Sequence, residues 1–350
     1  METKSRILTG HRPTGPRHIG HLVGTLRTWA GLQDERQCYF LVADLHVLTT
    51  DYAHPENVRA NTIEVVLDWL AAGIDPERAT IVLQSAVPEH TQLNVLLGML
   101  VTTARLERVP TYKEQAQQLN LQPSAGLLTY PVLQAADILL YQADSVPVGE
   151  DQLPHIELTR ELARRFNQLY GATFPEPQAV LSATPRLPGI DNRTMHTSYG
   201  NAVFLKDSPE ETERKVMNMY TDPTRVHADD PGHVEGNPVF TYLDVFHPDA
   251  RLVDDLKRSY TAGKIGDVQV KRTAARALNE YLAPYRARRA DLARHPDDMV
   301  DILKAGTARA RVIAQETLRK VHTRMGLTIA AGIDDLPAHP TGAPLAGTFC

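Results

Sequence analysis

The chain has 350 residues, of which 42% are hydrophobic and 23% charged, and a net charge of −5. This composition supports a packed core and excludes an intrinsically disordered protein, and the length favours two domains over one. Two cysteines, Cys38 and Cys350, are too few for a disulfide framework or a four-cysteine metal or iron–sulfur site, no basic-then-apolar leader pattern is present, and no apolar stretch approaches the ~18 residues of a membrane span, so the expectation is a cytoplasmic protein.

In chain order, Ile7-Leu8-Thr9 predicts a short buried strand. The Gly and Pro residues from Gly10 to Arg17 break it before a helical pattern that runs from His18 to about Leu32. Cys38 to Ala43 predicts a second strand, ending at Asp44-Leu45-His46. Val58, Ile63, Val66, Leu67 and Leu70 give helical spacing over Glu56 to Ala72, with Gly73 as a stop, and Ile81 to Val87 predicts a third strand. This alternation points to an α/β fold with a parallel sheet and crossover helices, whose ligands bind beyond the carboxyl ends of the strands, where His18 and His46 fall. After Phe204 strand signals fade and helices dominate, notably Val268 to Arg294 and Asp298 to Met325. The expected organisation is a catalytic domain over 1–204, an all-helical domain over 205–331 whose terminal helix packs back on the first, and a Pro- and Gly-rich flexible tail over 332–350. Between Tyr260 and Leu327, 14 Lys or Arg stand against 7 Asp or Glu. Such an excess suits either a polyanion partner or a salt-bridged, solvated helix surface.

There is no Gly-x-x-x-x-Gly-Lys phosphate loop and no internal repeat. The chemistry-bearing pattern is instead His18-Ile19-Gly20-His21 at a helix start. Gly15 and Gly20 let the backbone approach a ligand, the helix start offers unpaired N–H groups to phosphate, and two imidazoles can donate to transferring phosphate oxygens. Alone the pattern is weak, since two surface histidines capping a helix would read the same way.

The stretch from Thr129 to Phe166 reads TYPVLQAADILLYQADSVPVGEDQLPHIELTRELARRF. Together with the HIGH tetrapeptide it resembles the tryptophanyl-tRNA synthetases, class I enzymes with a Rossmann-like catalytic domain. The resemblance runs nearly to Leu327 and includes Thr9-Gly10, Leu106-Glu107-Arg108 and Leu318-Arg319-Lys320 with Met325-Gly326-Leu327. It implies that L-tryptophan and ATP are joined as tryptophanyl-adenylate, with Mg2+, and that the aminoacyl group then passes to tRNA(Trp). His18 and His21 are implied to stabilise the phosphate transition state, while Arg12, Gly20, His21, Gly149, Glu150, Asp151 and Met195 are implied to bind ATP. Asp137 is implied to accept the indole N–H, Tyr130 and Gln152 to hold the α-amino group, and Leu8, His46, Gln134, Ile138, Val146 and Val148 to complete the tryptophan pocket. The resemblance further implies a homodimer and an anticodon-binding role for the C-terminal helices, with Lys271, Arg272, Arg276, Arg286, Arg288, Arg289, Arg309 and Arg311 as the phosphate-facing pool.

The second class I signature, usually Lys-Met-Ser-Lys-Ser, falls at Thr194-Met195-His196-Thr197-Ser198, and both lysines are missing. Tyr112-Lys113-Glu114-Gln115 likewise places glutamine where the family usually has a lysine. Thr194, Thr197 and Ser198 are therefore read as the catalytic loop of an altered type, and the missing cation is sought among Arg193, Arg12, Arg17, a protonated His196 and magnesium. Two alternatives stay open at this point, a weakened paralogue kept for binding or regulation and the tyrosine-specific relative. Leu8 in place of an aromatic and Gln134 in place of a methionine make the expected pocket smaller in its side chains and more polar, and predict tolerance of ring-substituted tryptophans.

Overall fold

A computed structural model describes residues 5–112, 124–181, 187–195, 197–225, 227 and 229–327. Lys113, Glu114, Gln115, His196, the Ser198 side chain and the 332–350 tail lie outside what it describes. Five parallel strands form one sheet in the order β3-β2-β1-β4-β5: β1 (Arg6–His11), β2 (Gln37–Val42), β3 (Thr80–Leu83), β4 (Ser145–Val148) and β5 (Gln178–Leu181). β2 is continuously apolar from Cys38 to Val42, and β1 buries Ile7-Leu8-Thr9, because both faces of the sheet are covered. Ile7 and Phe40 point into one hydrophobic core, and Leu8, Tyr39 and Leu41 into the other.

After β1, the helix over His18's successors is built of α1 (Ile19–His21), a π-helical turn (Leu22–Leu26) and α2 (Arg27–Leu32). It is followed by α3 (Asp44–Asp51), α4 (Val58–Ala71), α5 (Glu89–Gly98), α6 (Thr103–Leu106), α7 (Ala125–Leu140) and α8 (Leu153–Tyr170). α4 ends where Gly73 adopts φ +100°, a conformation open to glycine. The C-terminal part contributes α9 (Pro209–Met217), α10 (Pro238–Phe246), α11 (Ala250–Thr261), α12 (Asp267–Leu292) and α13 (Pro296–Arg324). α9 to α12 share the first core with Trp29 and Trp69, whereas Ala310, Ala314, Leu318 and Val321 of α13 join the second core with α5, α7 and α8. α13 lies directly on the edge strand β3. A Cβ at Gly306 would collide with the Ile81 carbonyl, and Thr307 Oγ1 accepts the Leu83 N–H at 3.0 Å. An otherwise open sheet edge is thus covered and its backbone donor satisfied.

Two expected boundaries shift. The helix expected from Glu56 starts at Val58, after a 3-10 turn over Pro55–Asn57. The strand expected over Ile81 to Val87 stops at Leu83, because Gln84–Ala86 turns the chain so that the Gln84 side chain is buried against Asp137. The sheet order reverses between β1 and β4, where the register is held at Ile7↔Ser145 and Thr9 Oγ1 donates to the Pro147 carbonyl at 3.0 Å. The crevice beyond this switch point is where an open α/β sheet binds ligands.

Candidate active site

The floor of the crevice is one face of α7. Tyr130, Gln134 and Asp137 lie at i, i+4 and i+7, so helical periodicity aligns them. Asp137 is 2% exposed. Its Oδ2 accepts from His46 Nε2 at 3.0 Å and its Oδ1 from His90 Nδ1 at 2.6 Å, while Gln84 Nε2 lies 2.9 Å from both oxygens. Burial alone would raise the Asp137 pKa, but His90 and His46 outweigh it and hold the carboxylate below its ordinary range, hence ionised. The donors are themselves fixed. Gln84 Oε1 accepts the Leu45 N–H at 3.1 Å, and His90 Nε2 meets the Tyr141 hydroxyl at 2.8 Å. Leu8, Ile138 and Val146 belong to the hydrophobic core beside this carboxylate, and Val148 packs against the same core.

At the other end of the face, the Tyr130 hydroxyl bonds Thr111 Oγ1 and lies 2.9 Å from His155 Nε2. His155 Nδ1 donates to Gln152 Oε1 at 3.0 Å, which also receives Gln134 Nε2 at 3.4 Å. Burial, reinforced by His46 and opposed by Asp151, pushes the His155 pKa down to about 4, so the ring is neutral at pH 7. With Nδ1 carrying the proton, Nε2 accepts from the Tyr130 or Thr111 hydroxyl. Gly149 heads the Glu150–Gln152 turn, and a Cβ there would lie 2.7 Å from Asp151 Oδ1. Glu150 and Asp151 are exposed at the crevice rim, and Asp151 Oδ2 accepts Gln152 Nε2 at 2.9 Å.

The HIGH tetrapeptide is seated by a short antiparallel bridge between His18 and Phe204. Ile19 N–H donates to the Val203 carbonyl at 3.0 Å and Leu205 N–H to the Arg17 carbonyl at 2.9 Å. His18 and His21 form a reciprocal cap, with ring centroids 3.7 Å apart. Behind them His11 is neutral, its pKa driven well down by burial and then by Arg17 and His18. Its Nδ1 accepts Trp69 Nε1 at 3.1 Å, so its Nε2 faces Thr25 Oγ1, whose hydroxyl donates to the His21 carbonyl at 2.7 Å.

The altered second signature packs on the first. Met195 is buried, with Sδ 3.6 Å from the Cβ position of Gly20, and Thr197 Cγ2 lies 3.3 Å from that of Gly15. Thr194 is exposed, and its carbonyl accepts Asn201 Nδ2 at 3.0 Å. Of the candidate replacement cations, Arg193 is exposed and pairs with Asp191 at 2.6 Å. The Arg17 guanidinium is buried on the Gly15 and Arg12 carbonyls at 2.6 and 3.2 Å. Arg12 is partly exposed, bonds Thr50 and lies within the field of Tyr130 and Asp51. Gln84, His90, Tyr141, Thr111, His155 and His11 were not singled out from the sequence. His155 had a usable signal, three residues after Gln152 at the start of α8, as did Tyr141, four residues after Asp137; the others converge only through space.

A split parallel sheet with HIGH at its carboxyl edge and a second signature folded against it defines a class I aminoacyl-tRNA synthetase. The model of the family "tRNA synthetases class I (W and Y)" matches residues 1–283, and the chain belongs to this family. It is 52% identical over 327 residues to a tryptophan–tRNA ligase of Treponema pallidum, covering 92% of this chain and 97% of that protein. It is 46% identical over 325 residues to a tryptophan–tRNA ligase of Thermotoga maritima, covering 92% and 99%. The crystal structure of tryptophanyl-tRNA synthetase from Campylobacter jejuni complexed with ADP and tryptophan is 31% identical and superposes with a TM-score of 0.83 over 92% of this chain and 100% of that one.

Proposed function

We propose that the protein is a tryptophan–tRNA ligase. A carboxylate oxygen of tryptophan attacks the α-phosphorus of ATP, the bond to the β-phosphate oxygen breaks, and tryptophanyl-adenylate and pyrophosphate form. The aminoacyl group then passes to a ribose hydroxyl of tRNA(Trp), releasing AMP. No enzyme nucleophile is needed, so the protein acts through positioning and charge. The observation that carries the reading is the packing of Met195 onto the Gly20 position and of Thr197 onto the Gly15 position, which closes the two signature segments on one another. His18 and His21 donate to phosphate oxygens as charge shifts toward pyrophosphate, and Gly20 and Gly149 admit ATP next to the backbone. Asp137 accepts the indole N–H, and Tyr130 and Gln152 hold the ammonium from the opposite end of the α7 face. A phenyl ring, with no N–H or O–H, would leave the buried carboxylate without its substrate donor, which costs more than a lost methylene.

Magnesium enters as part of the ATP substrate, held by phosphate oxygens and water. Among the described residues no group of three or more His, Cys, Asp or Glu is arranged to hold a metal. Arg12 is the proposed supplement for the missing signature lysines, since Arg17 and Arg193 are tied to carbonyls and to Asp191.

The tRNA is proposed to meet the helical part, but its cationic pool is narrower than the sequence count implies. Lys271 donates to the Met217 and Met219 carbonyls, Arg286 to Asn279 and Thr212, Arg288 to the Ala71 carbonyl, Arg289 to Glu64 and Asp68, Arg309 to the Pro76 carbonyl and Arg311 to Glu89. Exposed Arg272 and Arg276 on α12 are the residues proposed for phosphate. Homodimeric assembly and a cytoplasmic location are part of the same proposal; among the described residues no helix is long and apolar enough to cross a membrane. The test is ATP–pyrophosphate exchange with each amino acid in turn. Exchange with tryptophan and none with tyrosine is expected; exchange that tyrosine drives equally, or none with either, overturns the reading.

A further inference from the structure

Behind the HIGH segment lies a buried ionic network that the adenylation chemistry does not itself use. Glu64 and Asp68 stand one turn apart on α4, Tyr285 and Arg289 one turn apart on α12, and the two pairs meet. Asp68 is fully buried. Its Oδ1 accepts the Tyr285 hydroxyl and Arg289 Nε, both at 2.8 Å, and its Oδ2 accepts the backbone N–H of Arg17 at 2.8 Å. Arg289 also reaches Glu64 Oε2 at 2.7 Å, and Glu64 lies 3.5 Å from Lys206 Nζ. Arg17 directly precedes His18, and Lys206 directly follows the Val203–Leu205 backbone that pairs with it. The acidic pair on α4 therefore holds both sides of the bridge that seats the HIGH histidines, and α12 holds the acidic pair.

The geometry is directional. A carboxylate in an apolar interior keeps its orientation only while its donors are fixed, and an unmade bond there carries the full desolvation cost. Two donors on α12 fix Oδ1, which leaves Oδ2 aimed at a single backbone N–H at the entrance to the tetrapeptide. Arg17 has a second tie to this turn, since its guanidinium bonds the Gly15 carbonyl beside Thr197. The other end of the pocket is built differently, with the Asp137 donors supplied by α3, α5 and the turn after β3.

We propose that Asp68 is a positioning residue for adenylate formation, set by Tyr285 and Arg289, so that the placement of His18 and His21 depends on how α12 is seated. This rests on the reading of HIGH as the phosphate site. The consequence is a split in kinetic effect: disturbing the α12 contacts slows the chemical step and leaves tryptophan recognition unchanged. It also joins the helix that bears exposed Arg272 and Arg276 to the phosphate site by one continuous set of hydrogen bonds.

The experiment is ATP–pyrophosphate exchange by the wild type, Tyr285→Phe, Asp68→Asn and the double variant, with kcat, KM for tryptophan and Tm measured for each. Tyr285→Phe removes one hydroxyl and keeps the ring. It is expected to lower kcat about tenfold with the tryptophan KM within about twofold, and the double variant is expected to be no slower than Asp68→Asn, because both changes act through one carboxylate. Wild-type kcat in Tyr285→Phe, fully multiplicative losses in the double variant, or a kcat loss matched by a rise in tryptophan KM would overturn the proposal. If the wild type itself lacks exchange, the proposed function fails, and positioning is read from the His18 and His21 imidazole NMR signals. Tyr285→Phe is expected to shift both; unchanged signals overturn it.

Discussion

In the proposed function Asp137 concentrates the selectivity of the site, because its charge is held without being neutralised. Two imidazoles and one amide donate to it; His90 is fixed from behind by Tyr141 and Gln84 by the Leu45 backbone. Asp137→Asn would turn a donor toward these donors. We expect a loss of roughly 100-fold in kcat/KM for tryptophan, from the ~2–3 kcal/mol of a mismatched charge-assisted bond, measured by exchange kinetics. His155 makes a different prediction. Its folded pKa of about 4 lies below its unfolded value, so between those pH values the unfolded chain binds a proton that the native protein does not. Stability from this group is present above about pH 6.5 and falls as pH drops toward 4, by at most roughly 3 kcal/mol. Urea midpoints at pH 7.5 and 4.5 should therefore differ less in His155→Gln than in the wild type. Asp137 and Tyr130 were legible in the sequence because they lie in one long contiguous motif. Gln84 and His90 were not, because each sits on a separate element and reaches Asp137 only once β3 ends early and α5 docks on α7.

At the scale of elements, alternating apolar strands and amphipathic helices were readable because both faces of the sheet demand apolar side chains. The stop of β3 at Leu83 comes from the Gln84–Asp137 contact, which periodicity does not encode, and the π-helical turn after His21 is likewise outside what periodicity predicts. The packing of α13 on β3 rests on Gly306. Gly306→Ala should force the helix off the Ile81 carbonyl and destabilise the protein by about 1–3 kcal/mol, seen as a lower Tm. The signature loop makes the opposite kind of prediction. Thr197 lies against Gly15, at the position of the second missing lysine, so Thr197→Lys should add a phosphate-facing cation and raise the exchange kcat by about tenfold. An unchanged or lower kcat would mean that the charge is already supplied from elsewhere. At the pocket end of α7, Gln134 lies 3.4 Å from Gln152 Oε1 and supplies polarity where the family usually has methionine. Gln134→Met should reduce use of polar ring-substituted tryptophans relative to tryptophan in competition assays.

For the whole molecule, the local excess of positive charge between Tyr260 and Leu327 was visible in the sequence, but its use was not. Counting could not separate a polyanion surface from internal pairing; the fold turns Lys271, Arg286 and Arg289 inward, onto backbone carbonyls, Thr212 and α4, and leaves most of the other basic residues exposed. The proposed catalytic centre lacks both signature lysines yet keeps HIGH, the turn from Gly149 to Gln152 and the Asp137 cradle in one crevice. Its most direct test is a single-turnover reaction of the protein with Mg·ATP and tryptophan, without tRNA, quenched and resolved for products. The account predicts tryptophanyl-adenylate and pyrophosphate in equal amounts, approaching one per active site. Tryptophan-independent hydrolysis to ADP and phosphate, or unreacted ATP with tryptophan bound, would contradict it.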